Sequence, residues 1–202
     1  LHHALNGYQP AGESWLSGWK DRFGLGRRSD EPPQGIYMYG PVGRGKSMLT
    51  DMFFDTATVG RKRRVHFHSF MLEVQKRLTT IRQGGKQDDP LMRVAAEIAE
   101  ESWLLCFDEF QVVNIADAMI LGRLFQAFFD RGVVIIATSN VAPQDLYKDG
   151  LQRERFLPFI DLIMKKLDVL DIGAGRDFRL DRLKGDPVWH TPLGADATAM
   201  LD

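Results

Sequence analysis

Eight residues, Gly40-Pro41-Val42-Gly43-Arg44-Gly45-Lys46-Ser47, follow the spacing G-x-x-x-x-G-K-S. Glycines at these places let a backbone curl around an anion with its N–H groups pointing inward. The lysine can reach the β- and γ-phosphates of a nucleotide, and the serine hydroxyl can take a place on Mg²⁺. A helix starting at Ser47 would add its positive end to the same anion. Gly40 to Ser47, with Met48 behind them, are therefore the residues expected to touch the phosphates of a nucleotide.

A second set lies 62 residues beyond Lys46. The apolar run Leu104-Leu105-Cys106-Phe107 ends in Asp108 and Glu109, and ligands bind at the carboxyl ends of parallel strands. Asp108 is expected to hold Mg²⁺, directly or through water. Glu109 is expected to polarise an attacking water as general base. A kinase whose nucleophile is its substrate does not need that glutamate, so the pair favours hydrolysis. Another strand ends Ala137-Thr138-Ser139-Asn140. Asn140 suits orienting the water or contacting the γ-phosphate, although a turn asparagine is the ordinary reading of such a residue. Arg153 and Arg155 open a later helix. An arginine reaching an adjacent subunit's γ-phosphate would stabilise charge in the transition state. Most helix arginines simply face water, and the spacing leaves cis and trans both open.

These groups need a frame. Short β-rich runs alternate with helical stretches from residue 35 onward. Strands are expected at 36–39, 64–68, 103–107, 133–138 and 167–172. The third and fourth are apolar throughout, as strands covered on both faces should be. Helices are expected at 47–56, 70–82, 90–101 and from Asn114 to about Arg131. Asp89 caps the third with Pro90 in its first turn, and Gly132 closes the fourth. A short helical turn over 143–147 and a helix over 152–165, bent at Pro158, complete the set. Phe70, Met71, Val74 and Leu78 share one helix face. The alternation predicts an α/β fold with a parallel sheet and helices on both faces.

Composition narrows the class. A chain of 202 residues, 44% hydrophobic, can bury a full core, and a net charge of −1 excludes wholesale disorder. Near-neutral charge argues against a generic DNA coat. One cysteine, Cys106, excludes a disulfide framework and is expected as a small buried hydrophobe. No apolar run approaches the roughly 18 residues of a membrane span. Scarce cysteine and the lack of a leader point to a reducing, intracellular compartment. Leu1 at the start and Leu201-Asp202 at the end read as cuts in a longer protein. The expected organisation is an irregular arm over 1–34, a core over 35–180 and the start of a C-terminal region over 181–202.

Other residues have mainly structural readings. His66 and His68 would share one strand face, a two-ligand pattern with no third ligand near. Arg61-Lys62-Arg63-Arg64 is expected as a solvated loop, with phosphate or acidic lipid contact as the alternative. Trp15 and Trp19 are expected to pack on the core, with a partner surface or the adenine as alternatives.

Taken together, the phosphate loop, His66-Phe67-His68 with Phe70-Met71, Cys106-Phe107-Asp108-Glu109-Phe110-Gln111, Ala137-Thr138-Ser139-Asn140, and Gly150-Leu151-Gln152-Arg153 with Phe156-Leu157-Pro158-Phe159-Ile160 carry a resemblance. They resemble the ZapE-type AAA+ ATPases, the family of a bacterial cell-division protein and its mitochondrial lactation-elevated counterpart. Asp177-Phe178-Arg179 resembles the family's Asp-Tyr-Arg with Phe for Tyr, and Thr191-Pro192-Leu193-Gly194 is similar as well. The resemblance implies a P-loop NTPase of three layers with strand order 5-1-4-3-2. It implies ATP and Mg²⁺ on Lys46, Ser47 and Asp108, with Glu109 completing the Walker B pair. It implies Asn140 as first sensor, Arg153 as the finger with Arg155 second, and a later sensor role for Arg179. It further implies a homo-oligomer acting on a protein substrate or division-ring component. Its expected place is the bacterial cytoplasm, at the inner-membrane face through peripheral association, or the mitochondrion in a eukaryote. The alternative is a nucleic-acid-associated loader of the helicase-loader kind, disfavoured by the neutral charge. A small-molecule kinase is disfavoured by Glu109.

Overall fold

The computed structural model describes residues 1–6, 8–10, 32–85 and 88–173. Five parallel strands form one sheet: β1 (Gly35–Tyr39), β2 (Lys62–His66), β3 (Leu104–Asp108), β4 (Val134–Ser139) and β5 (Leu167–Asp171). Their order is β2-β3-β4-β1-β5, the expected 5-1-4-3-2 read from the opposite edge. β3 and β4 are buried at every residue, whereas the edge strand β5 is exposed after Leu167. The continuous apolar runs thus fall at the centre of the sheet, and the charged ones at its edges, where they discourage pairing with another chain.

Side chains alternate across each strand. Tyr37, Leu105, Phe107, Ile135 and Ala137 face one core, whereas Leu104, Cys106, Val134 and Ile136 face another. The helices are α1 (His2–Leu5), α2 (Lys46–Thr56), α3 (Phe67–Gln83), α4 (Pro90–Glu101), α5 (Ile115–Asp130) and α6 (Leu157–Lys166). The first core is closed by α3 to α6, through residues such as Phe70, Val94, Phe125 and Ile163. The second is closed by Leu5 of α1 and by Phe53 and Phe54 of α2. The result is the expected three-layer sandwich. Cys106 lies fully buried in the second core, and burial pushes its thiol up to about 12.

Capping follows the sequence. The Asp89 carboxylate accepts from Met92 N–H at 3.3 Å, and the Asn114 side chain accepts from Asp117 N–H at 2.8 Å. Gly132 leaves α5 with φ of 75°, and a Cβ there would lie 2.7 Å from Tyr8 Oη. Tyr8 donates to the Gly132 carbonyl at 2.6 Å. The opening of the arm, expected as irregular, therefore contains a helical turn and is tied to the start of β4.

Three expectations are corrected. The second strand runs over Lys62–His66, not 64–68, because it pairs with β3 only as far as His66 opposite Asp108. There the chain enters α3, whose inner face starts at Phe67. His66 thus ends a strand and His68 lies on a helix, so they share no strand face. Second, the basic run is not a solvated loop: Lys62, Arg63 and Arg64 open the edge strand β2, with the exposed Arg61 just ahead of it. Arg61 lies over the Trp103 ring, its carbon 5.1 Å from the centroid. Lys62 donates to Ala57 O at 3.0 Å, while Arg63 pairs with Glu73 and Arg64 with Asp51 and Asp108. Third, residues 152–165 are not one bent helix. Arg153–Arg155 is a separate 3₁₀ turn, and Pro158 lies in the first turn of α6, where its missing N–H costs no bond. Trp15, Trp19, the Asp177-Phe178-Arg179 and Thr191–Gly194 motifs, and residues 181–202 lie outside the described residues.

A network joins β2 to two helices. Arg63 donates to Glu73 at 3.1 Å, and Arg77 donates to Glu73 at 2.7 Å and to Glu101 at 2.7 and 2.8 Å. The hydrogen bond from Arg63 holds the Glu73 carboxyl below its ordinary 4.5, and that from Arg77 does the same for Glu101. A carboxyl depressed in the folded state stabilises above its unfolded pKa and loses that contribution as pH falls through its folded value. The urea unfolding midpoint should thus begin to fall as pH drops below about 4.5. Glu73→Gln should lower the midpoint at neutral pH and flatten part of that fall.

Candidate functional site

Three strands meet at their carboxyl ends in the middle of the sheet. β1 stops at Tyr39, and Gly40 N–H donates to the Ser139 carbonyl at the end of β4 (3.3 Å). Beyond β3, Phe110 N–H donates to the Thr138 carbonyl at 2.7 Å, and Glu109 N–H donates to Thr138 Oγ1 at 3.4 Å. Ser139 Oγ donates to the Phe110 carbonyl at 2.8 Å. The order β3-β4-β1 makes β4 the bridge. Its two terminal hydroxyl residues stitch the acidic turn on one side, and the Ser139 carbonyl ties the phosphate loop on the other. The sequence reading stopped at Asn140 and missed Thr138 and Ser139, whose signal was two hydroxyls at the end of an apolar strand.

The loop between β1 and α2 needs its glycines. Gly40, Gly43 and Gly45 have φ of 152°, 86° and 81°, backbone values that side chains rarely allow. A Cβ on Gly40 would also press to 3.1 Å from Gly173 N. Lys46 is buried, and its Nζ donates to the carbonyls of Gly40 at 2.5 Å and Pro41 at 2.8 Å. The ammonium is thus folded into its own loop. Ser47 is exposed in the first turn of α2. Arg44 keeps Nε and Nη1 buried with no hydrogen-bond partner among the described residues. A glycine-lined loop, a buried ammonium held at that loop's carbonyls and guanidinium nitrogens without a hydrogen-bond partner among the described residues suit a polyanion, so these residues fit a nucleotide phosphate.

The acidic pair divides its work. Asp108 is buried, while Glu109 is exposed and left-handed, with φ of 55°. Such backbone strain in a residue with a side chain persists only where the surroundings enforce it. Here Phe107 and Phe110, both fully buried, bracket the pair and turn the Glu109 carboxylate outward. Asp108 has a partner that the sequence reading missed. Arg64 on β2 donates from Nε to Asp108 Oδ2 at 2.7 Å and from Nη2 to Oδ1 at 3.1 Å. Its Nη1 is paired with Asp51, one turn beyond Ser47 on α2. A guanidinium thus stands against the carboxylate expected to hold a divalent cation, so the donor set suits positive charge. Among the described residues, no three His, Cys, Asp or Glu side chains converge as a metal cluster.

The other expected groups are placed as follows. Asn140 is exposed directly after β4, beside the start of the phosphate loop. Arg153 is tied within its own segment, donating from Nη2 to the Gln144 carbonyl at 2.6 Å, with Nε buried and without a hydrogen-bond partner among the described residues. Arg155 is exposed and lines a groove of about 630 Å³ with Gly122, Arg123 and Phe159. Neither arginine hydrogen-bonds the phosphate loop. Among the described residues, the non-glycine positions with left-handed φ are Glu109, Tyr147, Asp149 and Gln152, the last three just ahead of Arg153. No helix of the described residues is long and apolar enough to cross a membrane.

Comparison with known proteins adds independent findings. A family model described as AFG1-like ATPase matches residues 4–202. The chain is 47% identical over 180 residues to Cell division protein ZapE of Escherichia coli (strain K12), covering 88% of this chain and 47% of that protein. It is 50% identical over 161 residues to Lactation elevated protein 1 homolog B of Danio rerio, covering 76% of this chain and 32% of that protein. The chain thus spans about half the length, or less, of these relatives. A crystal structure of DnaI aligns with a TM-score of 0.50 at 16% identity, over 76% of this chain and 81% of that one, a likeness of fold alone.

Proposed function

The chain belongs to the AFG1-like ATPase family, and from that premise we propose that it binds ATP with Mg²⁺ at the β1–α2 loop and hydrolyses it to ADP and phosphate. The observation that carries this is the stitched set of strand ends, where hydrogen bonds through Thr138 and Ser139 bring the phosphate loop, Asn140 and Asp108-Glu109 together.

Each residue has a proposed task. Gly40 to Met48 cradle the phosphates through backbone N–H groups, and Lys46 exchanges its own loop's carbonyls for phosphate oxygens. Ser47 and Asp108 hold Mg²⁺, which when bound neutralises charge on the phosphate oxygens. Glu109 accepts a proton as water oxygen bonds to the γ-phosphorus and the bond to the β-phosphate oxygen breaks. Asn140 senses the γ-phosphate. Arg153, reached through three left-handed residues, is proposed as the finger that completes a neighbouring subunit's site, with Arg155 as the second candidate. Residues 35–180 form the proposed ATPase core, between an arm at 1–34 and the start of a C-terminal region at 181–202.

In the whole protein, hydrolysis is proposed to drive remodelling of a protein partner in cell division or in protein quality control at an inner membrane. The proposed place is the bacterial cytoplasm, at the membrane face, or the mitochondrion in a eukaryote. A nucleic-acid loader would need free basic groups. The run from Arg61 to Arg64 is instead spent on contacts within the chain.

The test is phosphate release per molecule across a range of protein concentrations, with Arg153→Ala alongside. The rate should rise with concentration, and the variant should bind ATP yet lose about 10³-fold in rate. A measurable rate that stays flat and is unaltered in the variant removes Arg153 from the site. Phosphate passed to an acceptor other than water would make the protein a kinase.

A further inference from the structure

The contact between Arg64 and Asp108 lies outside every role assigned above. Both carboxylate oxygens of Asp108 accept from one guanidinium, at 2.7 and 3.1 Å, and the third arm of that guanidinium is paired with Asp51 on α2. The Asp108 side chain is 12% exposed and that of Arg64 is 21% exposed, so the pair is largely withdrawn from water, while Asp51 is 56% exposed. A carboxylate withdrawn from water needs a compensating charge. Arg64 supplies it.

We propose that Arg64 is a positioning residue that guards the cation site, holding both oxygens of Asp108 until a divalent cation arrives together with nucleotide. This rests on the ATPase assignment above. A cation arriving alone would have to displace two charge-assisted hydrogen bonds, and would gain one carboxylate and the Ser47 hydroxyl. Mg²⁺ sheds its water reluctantly and is bound through few carboxylates plus phosphate oxygens, so this exchange is unfavourable. Nucleotide phosphates add the missing ligands and reverse the balance. Asp51 keeps hold of the guanidinium when Asp108 lets go, because its pairing uses a separate nitrogen. The site is thereby kept from filling with a lone cation, and its cation affinity is coupled to nucleotide.

The test uses Mn²⁺ as the probe, followed by electron paramagnetic resonance with no nucleotide present. The wild-type chain should leave Mn²⁺ free at millimolar concentration. Arg64→Gln should bind it at least about tenfold more tightly, and adding Asp108→Asn should abolish the gain. Arg64→Lys keeps the charge but loses the two-pronged contact, and it should fall between the two; it decides the matter if the glutamine variant does not fold. Equal Mn²⁺ affinity in wild type and the folded variants overturns the proposal. So does a gain that survives Asp108→Asn, or tight Mn²⁺ binding by the wild type. A fluorescent ATP analogue with Mg²⁺ is titrated into the wild-type chain separately. Its failure to bind would remove the ATPase assignment, a result distinct from any Mn²⁺ outcome.

Discussion

Glu109→Gln should slow ATP hydrolysis by about 10²- to 10⁴-fold and leave ATP binding intact. The glutamate is exposed, and its carboxylate takes no part in holding the turn together. That work is done by its backbone N–H on Thr138 Oγ1 and by Phe110 N–H on the Thr138 carbonyl. Glutamine has the same shape, so the left-handed turn at 55° is kept. Only the capacity to accept a proton is lost. Nucleotide affinity by fluorescence and phosphate release under single-turnover conditions separate the two effects. Wild-type turnover in this variant would remove Glu109 from the role of base.

The second large effect is on stability. Phe110→Ala should lower unfolding free energy by about 3–5 kcal/mol. The ring is 1% exposed. It meets Phe67 at 4.0 Å between centroids, Phe125 at 5.8 Å and Tyr37 at 6.0 Å, from three different elements. Nothing nearby can fill the space without moving a strand or helix. Since a domain is stable by only about 5–15 kcal/mol, the loss is a large share. The urea midpoint should fall with little change in slope. The same substitution removes the buried ring that brackets the acidic turn while leaving its backbone hydrogen bonds to Thr138, so ATP hydrolysis should fall in molecules that remain folded.

Much of this was legible in the sequence because it depends on local chemistry. Glycine spacing, the caps Asp89 and Asn114, and the apolar runs of β3 and β4 each act over a few residues. The strand order came from the family resemblance, since alternation alone gives a parallel sheet but not which strands are neighbours. Arg64 was not legible for a related reason. Its partners lie 13 and 44 residues away in the chain, and only the register His66 to Asp108 brings them together. The same register moved β2 two residues earlier than its β-branched and aromatic content suggests. Pro158 was misplaced because a proline reads as a bend in mid-helix and as a normal residue in a first turn. What separates the two is where the 3₁₀ turn Arg153–Arg155 stops, just before the fully buried Phe156.

The strand order also bears on how the protein is made. Ile36 of β1 pairs with Ile136 and Asp168, partners at least 100 residues later in synthesis. The edge of β1 that meets β4 therefore waits while β2 and β3 are made, and the edge that meets β5 waits for β4 as well. Non-local pairing of this kind slows folding and exposes sticky edges on the way. Since the phosphate loop is anchored by the Ser139 carbonyl, a nascent chain cannot make that anchor before β4 emerges. The phosphate loop thus gains its anchor only once β4 has been made, well after β1 itself.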